Sequence, residues 1–293
     1  MKNRTKIILL ICTTVIITAV STGLVLEYSI QNNKYGDEII RTKINSEEMN
    51  EERKVIIHLP ENYKKNSKKM YPVMYVLDGT SQDIHTAEKV NLLSKVNVFP
   101  EAIVVGIPNT SGNRSRDFTP HYMKIDLEAS ESEYGNGDKF LNYIEKELIP
   151  FIDNNYRTNG FQTISGNSRG GLFTFYALLE RPQLFNGYIC YSPAFWREDD
   201  LIAKKAKSFL KNNNLQKKFI YMSIGDSENE KMKKGFSVVQ NLLTNELSKK
   251  NDINHVDFNF EITQNSDHGN NSYKSTVFTL KYLGKYIELI EKD

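Results

Sequence analysis

The chain has 293 residues, with 38 Lys and Arg against 36 Asp and Glu, 39% hydrophobic residues and 2 cysteines. Apolar and charged residues run through its whole length in proportions that exclude a disordered chain, a collagen-like repeat and a polytopic membrane protein. The near balance of charge offers no basic face to nucleic acid, and with Cys12 in the N-terminal apolar run, Cys190 alone in the body leaves no intrachain disulfide to form there.

Lys2, Arg4 and Lys6 precede an uncharged run from Ile7 to Leu26. A cationic start followed by about 20 apolar residues matches a bilayer-crossing helix with its N-terminus on the cytoplasmic side. Residues 1–26 are therefore expected to be a membrane anchor, or a signal peptide cleaved after Ser21 at the small-x-small pattern of Ala19 and Ser21. Residues 27–35 read as a linker, and residues 36–293 as one domain lying outside the membrane or secreted.

Polar residues lead into a first strand near Glu38–Lys43, and β-branched apolar runs predict strands at Lys54–His58, Val73–Leu77 and Ala102–Val105. The stretch between residues 79 and 100 reads as loop. From about residue 138 helix and strand alternate. Phe140, Leu141, Ile144, Leu148, Phe151 and Ile152 recur at helical spacing; Phe161–Ser165 is a strand, Gly170–Glu180 a helix stopped by Pro182, and Gly187–Tyr191 a strand. Then come helix Leu201–Leu210, strand Phe219–Ile224, helix Phe236–Leu247, strand Val256–Ile262 and a closing helix, Tyr273–Ile290. The order predicts an α/β fold, a mostly parallel central sheet with helices on both faces, whose chemistry gathers at the carboxyl ends of the strands.

Gly166-Asn167-Ser168-Arg169-Gly170 sits between a predicted strand and a predicted helix. The Gly-x-Ser-x-Gly pattern alone is weak, but at this position it has mechanical meaning. A tight strand-to-helix turn lifts the Ser168 hydroxyl clear of the sheet, and the helix behind it aims N–H groups at the same spot. A serine nucleophile needs a histidine base and usually an acid to orient it. Of the five histidines, His58 and His255 read as strand-associated structural or surface residues, His85 and His121 as loop residues. His268, in Asn265-Ser266-Asp267-His268-Gly269 after the last predicted strand, is the best placed base. The acid should follow strand Phe219–Ile224, where Asp226, Glu228 and Glu230 compete; Glu228 has the natural reach, and all three also suit a helix N-terminus. An oxyanion hole would draw on the Arg169 N–H and on Gly79, in the turn pair Asp78-Gly79.

Several ordered segments together resemble the putative-esterase family of α/β-hydrolases: Tyr75-Val76-Leu77-Asp78-Gly79, Val104-Val105-Gly106-Ile107, Arg114-x-Arg116-Asp117-Phe118-Thr119-Pro120, Ser165-Gly166-Asn167-Ser168-Arg169-Gly170-Gly171, Tyr191-Ser192-Pro193-Ala194-Phe195-Trp196, Gly225-x-x-Glu228 and Asp267-His268-Gly269. The resemblance spans about residues 53–290 and implies Ser168 as nucleophile, His268 as base and an acid near Glu228, with Gly79 and Arg169 lining the oxyanion hole. It looks closest to the siderophore-esterase branch, some of whose members look like serine–histidine dyads. Arg114 and Arg116 then either bind an anionic substrate or pin a loop, and Trp196, the only tryptophan, is either a pocket wall or a core residue.

The expected activity is hydrolysis of a small-molecule carboxylic ester through an acyl-enzyme. An acyltransferase of the same fold and a non-catalytic surface binding protein are its rivals. Metal-binding and phosphate-cradling motifs are absent from the sequence, so no cofactor is implied.

Overall fold

A computed structural model describes residues 6, 12–25, 39–110, 112–125, 133–213, 215, 217–248 and 256–291. The chain divides into two compact units, Met1–Asp37 and Glu38–Asp293. In the first, residues 12–25 form helix α1. Among the described residues no helix is long and apolar enough to cross a membrane. Residues 7–11 and 26, the remainder of the expected span, and the linker 27–35 lie outside the described residues.

The second unit opens with strands β1 (Ile39–Ser46), β2 (Glu51–His58) and β3 (Tyr71–Leu77), helix α2 (Gln82–Lys95), strand β4 (Ile103–Ile107) and a short helix α3 (Arg114–Asp117). Helices α4 (Gly137–Tyr143) and α5 (Ile149–Asn155) are joined by a π-helical turn, Ile144–Leu148. Strand and helix then alternate: β5 (Thr158–Asn167), α6 (Arg169–Glu180), β6 (Gly187–Tyr191), α7 (Arg197–Asn212), β7 (Lys218–Gly225), α8 (Glu230–Ser248), β8 (Val256–Thr263) and α9 (Asn271–Ile290). α6 ends where Arg181 leaves helical geometry before Pro182, whose ring disfavours a helical predecessor.

Among the described residues eight strands form one sheet in the order β1-β2-β4-β3-β5-β6-β7-β8. β1 with β2 and β2 with β4 are antiparallel, and every other pairing is parallel. The two-residue period of a strand divides its side chains between two cores. Val73, Tyr75, Leu77, Ile164, Cys190 and Met222 pack with α4 to α8, whereas Met74, Val76, Val104, Ile189 and Tyr221 pack with Val90 of α2 and Leu280, Leu283 and Ile287 of α9. This is the α/β-hydrolase arrangement expected from the sequence. Helix α2 lies in the stretch read as loop: its buried positions are Asp83, His85, Thr86 and Val90, too polar a set for an apolar periodicity to reveal.

Parallel pairing puts the carboxyl ends of β5, β6, β7 and β8 side by side. Residues 168, 192, 226–228 and 265–268, far apart in sequence, therefore meet at one edge of the sheet.

Candidate active site

The sharp feature of that edge is the turn from β5 into α6. Ser168 has φ 59° and ψ −116°, a left-handed conformation costly for a residue with a side chain. The surroundings hold it there. Its N–H donates to Tyr191 O at 2.9 Å, and its carbonyl accepts from Leu172 N and Ala194 N, both at 3.0 Å. Gly166 is required because a Cβ there would run into the backbone of Gly170, so tight is the elbow.

Ser168 faces a cavity of about 430 Å³ lined also by Arg114, Ser115, Arg169, Ala194, Trp196, Arg197, Asn229, Lys231, Met232 and His268. His268 reaches it from the loop after β8. Its Nδ1 lies 3.0 Å from Oε2 of Glu228, whose side chain is fully buried. An ionised carboxylate only accepts hydrogen bonds, so the imidazole proton sits on Nδ1 and Nε2 is left as an acceptor. The other carboxylate oxygen, Oε1, accepts from Gly225 N at 2.9 Å and from the Ser192 hydroxyl. Burial pushes the Glu228 carboxyl up, but hydrogen bonds from His268, Ser192 and Gly225 outweigh it and hold the group below the usual glutamate range.

The two competing acids have other tasks. Asp226 accepts from Asn265 N at 2.8 Å and Ser266 N at 3.0 Å, tying the His268 loop to the end of β7, and these backbone donors, Ser266 foremost, hold its carboxyl below the usual range. Glu230 is exposed and pairs with Lys233 at 3.1 Å. Gly225 is part of the same junction, since a Cβ on it would meet the Ser266 carbonyl.

Three other histidines lie away from the cavity. His58 is buried against Asp83 at 2.8 Å, and His121 bonds the Tyr176 hydroxyl at 3.0 Å. His85 packs on Tyr273, and burial, with Lys89 beside it, pushes it down to about 3. His255 lies outside the described residues.

Two expected site residues are placed elsewhere. Gly79 does not offer its N–H to the cavity: that group donates to Ile107 O at 3.0 Å, and the glycine is needed because a Cβ would stand 2.7 Å from Ile107 N. Arg116 is not a cavity residue either. It binds Asp117 at 2.7 Å and Glu51 at 3.0 Å, in a network where the fully buried Arg53 meets the same two carboxylates, each at 2.7 Å. This network pins α3, which carries Arg114.

Arg114 does line the cavity. Asp78 grips it through Nε at 2.6 Å and Nη2 at 2.8 Å, and Nη2 also reaches the Asn167 carbonyl at 3.2 Å, next to Ser168. Trp196 is a cavity wall, its indole N–H directed at Met232 Sδ at 2.9 Å. The Arg169 amide opens α6 directly behind Ser168, while its guanidinium donates to Thr119 Oγ1 at 2.7 Å.

The sequence did not single out Arg197 or Lys231. The Lys231 ammonium lies 3.8 Å from the centre of the Trp196 ring, and Arg197 donates to Lys124 O at 3.2 Å. Arg114, Arg169, Arg197 and Lys231 thus share one cavity with no carboxylate among its lining residues. Among the described residues no cluster of His, Cys, Asp and Glu is arranged to hold a metal ion.

Sheet topology, elbow and histidine loop define an α/β-hydrolase. Residues 46–280 match the family described as "Putative esterase", and the chain belongs to that family. It is 34% identical over 175 residues to ferri-bacillibactin esterase BesA of Bacillus subtilis (strain 168), covering 54% of this chain and 60% of that protein. To the siderophore triacetylfusarinine C esterase of Aspergillus fumigatus it is 27% identical over 154 residues, covering 49% of this chain and 51% of the other. The chain therefore spans between half and two thirds of these relatives' length. Among solved structures it is similar to an IroE-like serine hydrolase from Shewanella oneidensis, with TM-score 0.75 and 27% identity over 85% of this chain and 80% of the other. The BES protein of Bacillus cereus shares the fold at TM-score 0.71 and 24% identity, over 85% and 96% of the two chains.

Proposed function

We propose that this protein is a serine esterase acting on anionic, siderophore-type esters, with Ser168 as nucleophile, His268 as base and Glu228 as the orienting acid. One observation carries the reading: a histidine fixed through Nδ1 to a buried carboxylate shares a cavity with a serine on a strained elbow. In the reaction, His268 Nε2 removes the Ser168 proton as Oγ attacks the ester carbonyl. The Arg169 N–H and the positive end of α6 stabilise the oxyanion. The alcohol leaves with the proton from His268, and water, deprotonated by the same nitrogen, releases the acid and restores Ser168.

The anionic substrate class is supported by the basic residues lining the cavity, Lys231 and Arg197 beside an Arg114 paired with Asp78, and by the siderophore esterases among the relatives. Trp196 supplies a flat apolar wall for an aromatic acyl group. The N-terminal apolar run supports a location on the outer side of the membrane, with the domain anchored or released by cleavage.

The test is labelling of the full chain with a fluorophosphonate, located by mass spectrometry, with Ser168→Ala and His268→Ala as controls. Stoichiometric modification of Ser168 that requires His268 is the expected result, and an unlabelled, folded wild type overturns the assignment. An ester panel including an iron-loaded catecholate trilactone and a neutral acetyl ester identifies the substrate class. Added alcohol or sugar acceptors separate hydrolysis from acyl transfer.

A further inference from the structure

Beneath Glu228 lies a chain of buried polar side chains that the reaction above does not use. Ser192, Ser223, Asn271 and Ser275 are fully buried, and Thr263 nearly so. Asn271, the first residue of α9, donates both amide hydrogens, to Ser192 Oγ at 2.9 Å and Ser223 Oγ at 3.0 Å. Its Oδ1 accepts from Ser275 Oγ at 2.8 Å, and Ser275 Oγ lies 2.8 Å from Thr263 Oγ1.

The chain has a direction. A hydroxyl owns one hydrogen, and Ser275 uses its own on Asn271, so Thr263 must donate to Ser275. Because Asn271 donates to Ser192, the Ser192 oxygen is an acceptor on that side and its single hydrogen points at Glu228 Oε1. Glu228 is then surrounded by donors alone: the Ser192 hydroxyl, the Gly225 N–H and His268 Nδ1–H. Such a shell leaves no place for a proton on the carboxylate and leaves Oε2 to the imidazole. Ser192 is also held at φ 42°, a strained geometry at a fully buried position, with its N–H on Ser223 O at 2.7 Å.

From this geometry we infer that Ser192 and Asn271 are positioning residues, a one-way hydrogen-bond relay from β8 and α9 that keeps Glu228 charged and sets the basicity of His268. The inference rests on the roles proposed above for Ser168, His268 and Glu228. The depressed Glu228 carboxyl agrees with it.

The sign of the effect follows from the relay. The Ser192 hydrogen draws charge from the carboxylate. Without it Glu228 stabilises the imidazolium more strongly, so His268 stays protonated to higher pH and the acid limb of kcat/KM moves up. The other charged groups around the pair are Asp226 and Asp267 on the flanking loops, Arg114, Arg169, Arg197 and Lys231 around the cavity, and Lys274 of α9 on the His268 loop. Burial pushes Cys190 and Tyr191 of β6 up, out of the working range. All of these are unchanged in the variants compared.

Two variants test the relay in the full chain. Ser192→Gly deletes the hydroxyl at a backbone conformation glycine adopts freely. Asn271→Leu keeps roughly the volume and adds no charge, and by removing both donors it releases the Ser192 hydroxyl from its orientation toward Glu228. Each is expected to lower kcat by about 10- to 100-fold, the worth of one hydrogen bond to a charged group, with KM unchanged. In each the acid limb should rise by roughly half a unit or more, and NMR titration of His268 should move with it. The double variant is expected to be no worse than the poorer single one, because both cut the same chain. A purely structural role would lower activity equally at every pH and leave the His268 titration in place. Folded variants with that behaviour overturn the inference, and Asn271→Leu, being near-isosteric and uncharged, carries the test where Ser192→Gly does not fold. Ser168→Ala assayed alongside separates the two failures: retained hydrolysis there sinks the esterase assignment, whereas lost hydrolysis with an unmoved acid limb sinks the relay alone.

Discussion

Glu228→Gln puts the His268 orientation at risk without changing its volume. The Oε1 position accepts from Gly225 N and Ser192, so the glutamine oxygen must take that end. Its NH2 then occupies the Oε2 position, 3.0 Å from His268 Nδ1. Two donors cannot face each other, so the imidazole adopts the opposite tautomer, with its hydrogen on Nε2. That nitrogen can no longer accept the Ser168 proton. Wrong-tautomer variants of the serine–histidine–acid template lose about 10⁴-fold. A fall in kcat of about 10³–10⁴, or ~4–5.5 kcal/mol of transition-state stabilisation, is expected here. Steady-state kinetics on a neutral ester, fluorophosphonate labelling rates and circular dichroism check it together: kcat and labelling should fall in parallel, with KM and fold unchanged. Activity within tenfold of wild type would refute the role of Glu228 and leave a Ser168–His268 dyad.

Arg114→Gln removes a cavity cation held by Asp78; KM for an anionic ester should rise about tenfold or more, a neutral ester should be unaffected, and added salt should weaken only the anionic substrate. Asp117→Ala removes the fully buried one of the two carboxylates that Arg53 meets and leaves it Glu51 alone, costing about 3 kcal/mol and lowering Tm by roughly 6–12 °C in calorimetry; adding Arg53→Met should recover most of the loss. Gly166→Ala forces a Cβ against the Gly170 backbone and should displace the Ser168 hydroxyl, reducing kcat about 100-fold in the soluble fraction. Because the folded Glu228 carboxyl lies below its ordinary range, its contribution to stability is complete above about pH 4.3 and is lost as pH falls through the folded value; acid unfolding of Glu228→Gln should be less pH-dependent there.

What the sequence displays depends on how local the cause is. The alternation after residue 138 survives folding because most of the strands are short and apolar and most of the helices carry their own apolar stripe, so β5 to α9 appear within about six residues of their expected places. Ser168 is legible for a similar reason: the constraint on Gly166 comes from Gly170, four positions away. Glu228 is legible because its carboxylate turns back onto the N–H of Gly225, three positions before it.

The positions that the sequence misplaced or left open answer to distant partners. A glycine after a strand looks the same whether its N–H faces a substrate or an adjacent strand end, and Gly79 belongs to the second case because β4 runs alongside β3. Arg116 and Arg114 are two residues apart in one motif, yet Glu51 captures the first and Asp78 the second. Ser192 and Asn271 are separated by 79 positions. No pattern of spacing connects a serine after β6 with an asparagine opening α9. They meet because parallel pairing gathers the ends of β6, β7 and β8, and the buried carboxylate at that junction needs donors from more than one of them. The residues that hold Glu228 in place are therefore fixed by the strand order, which emerges only when the sheet is assembled.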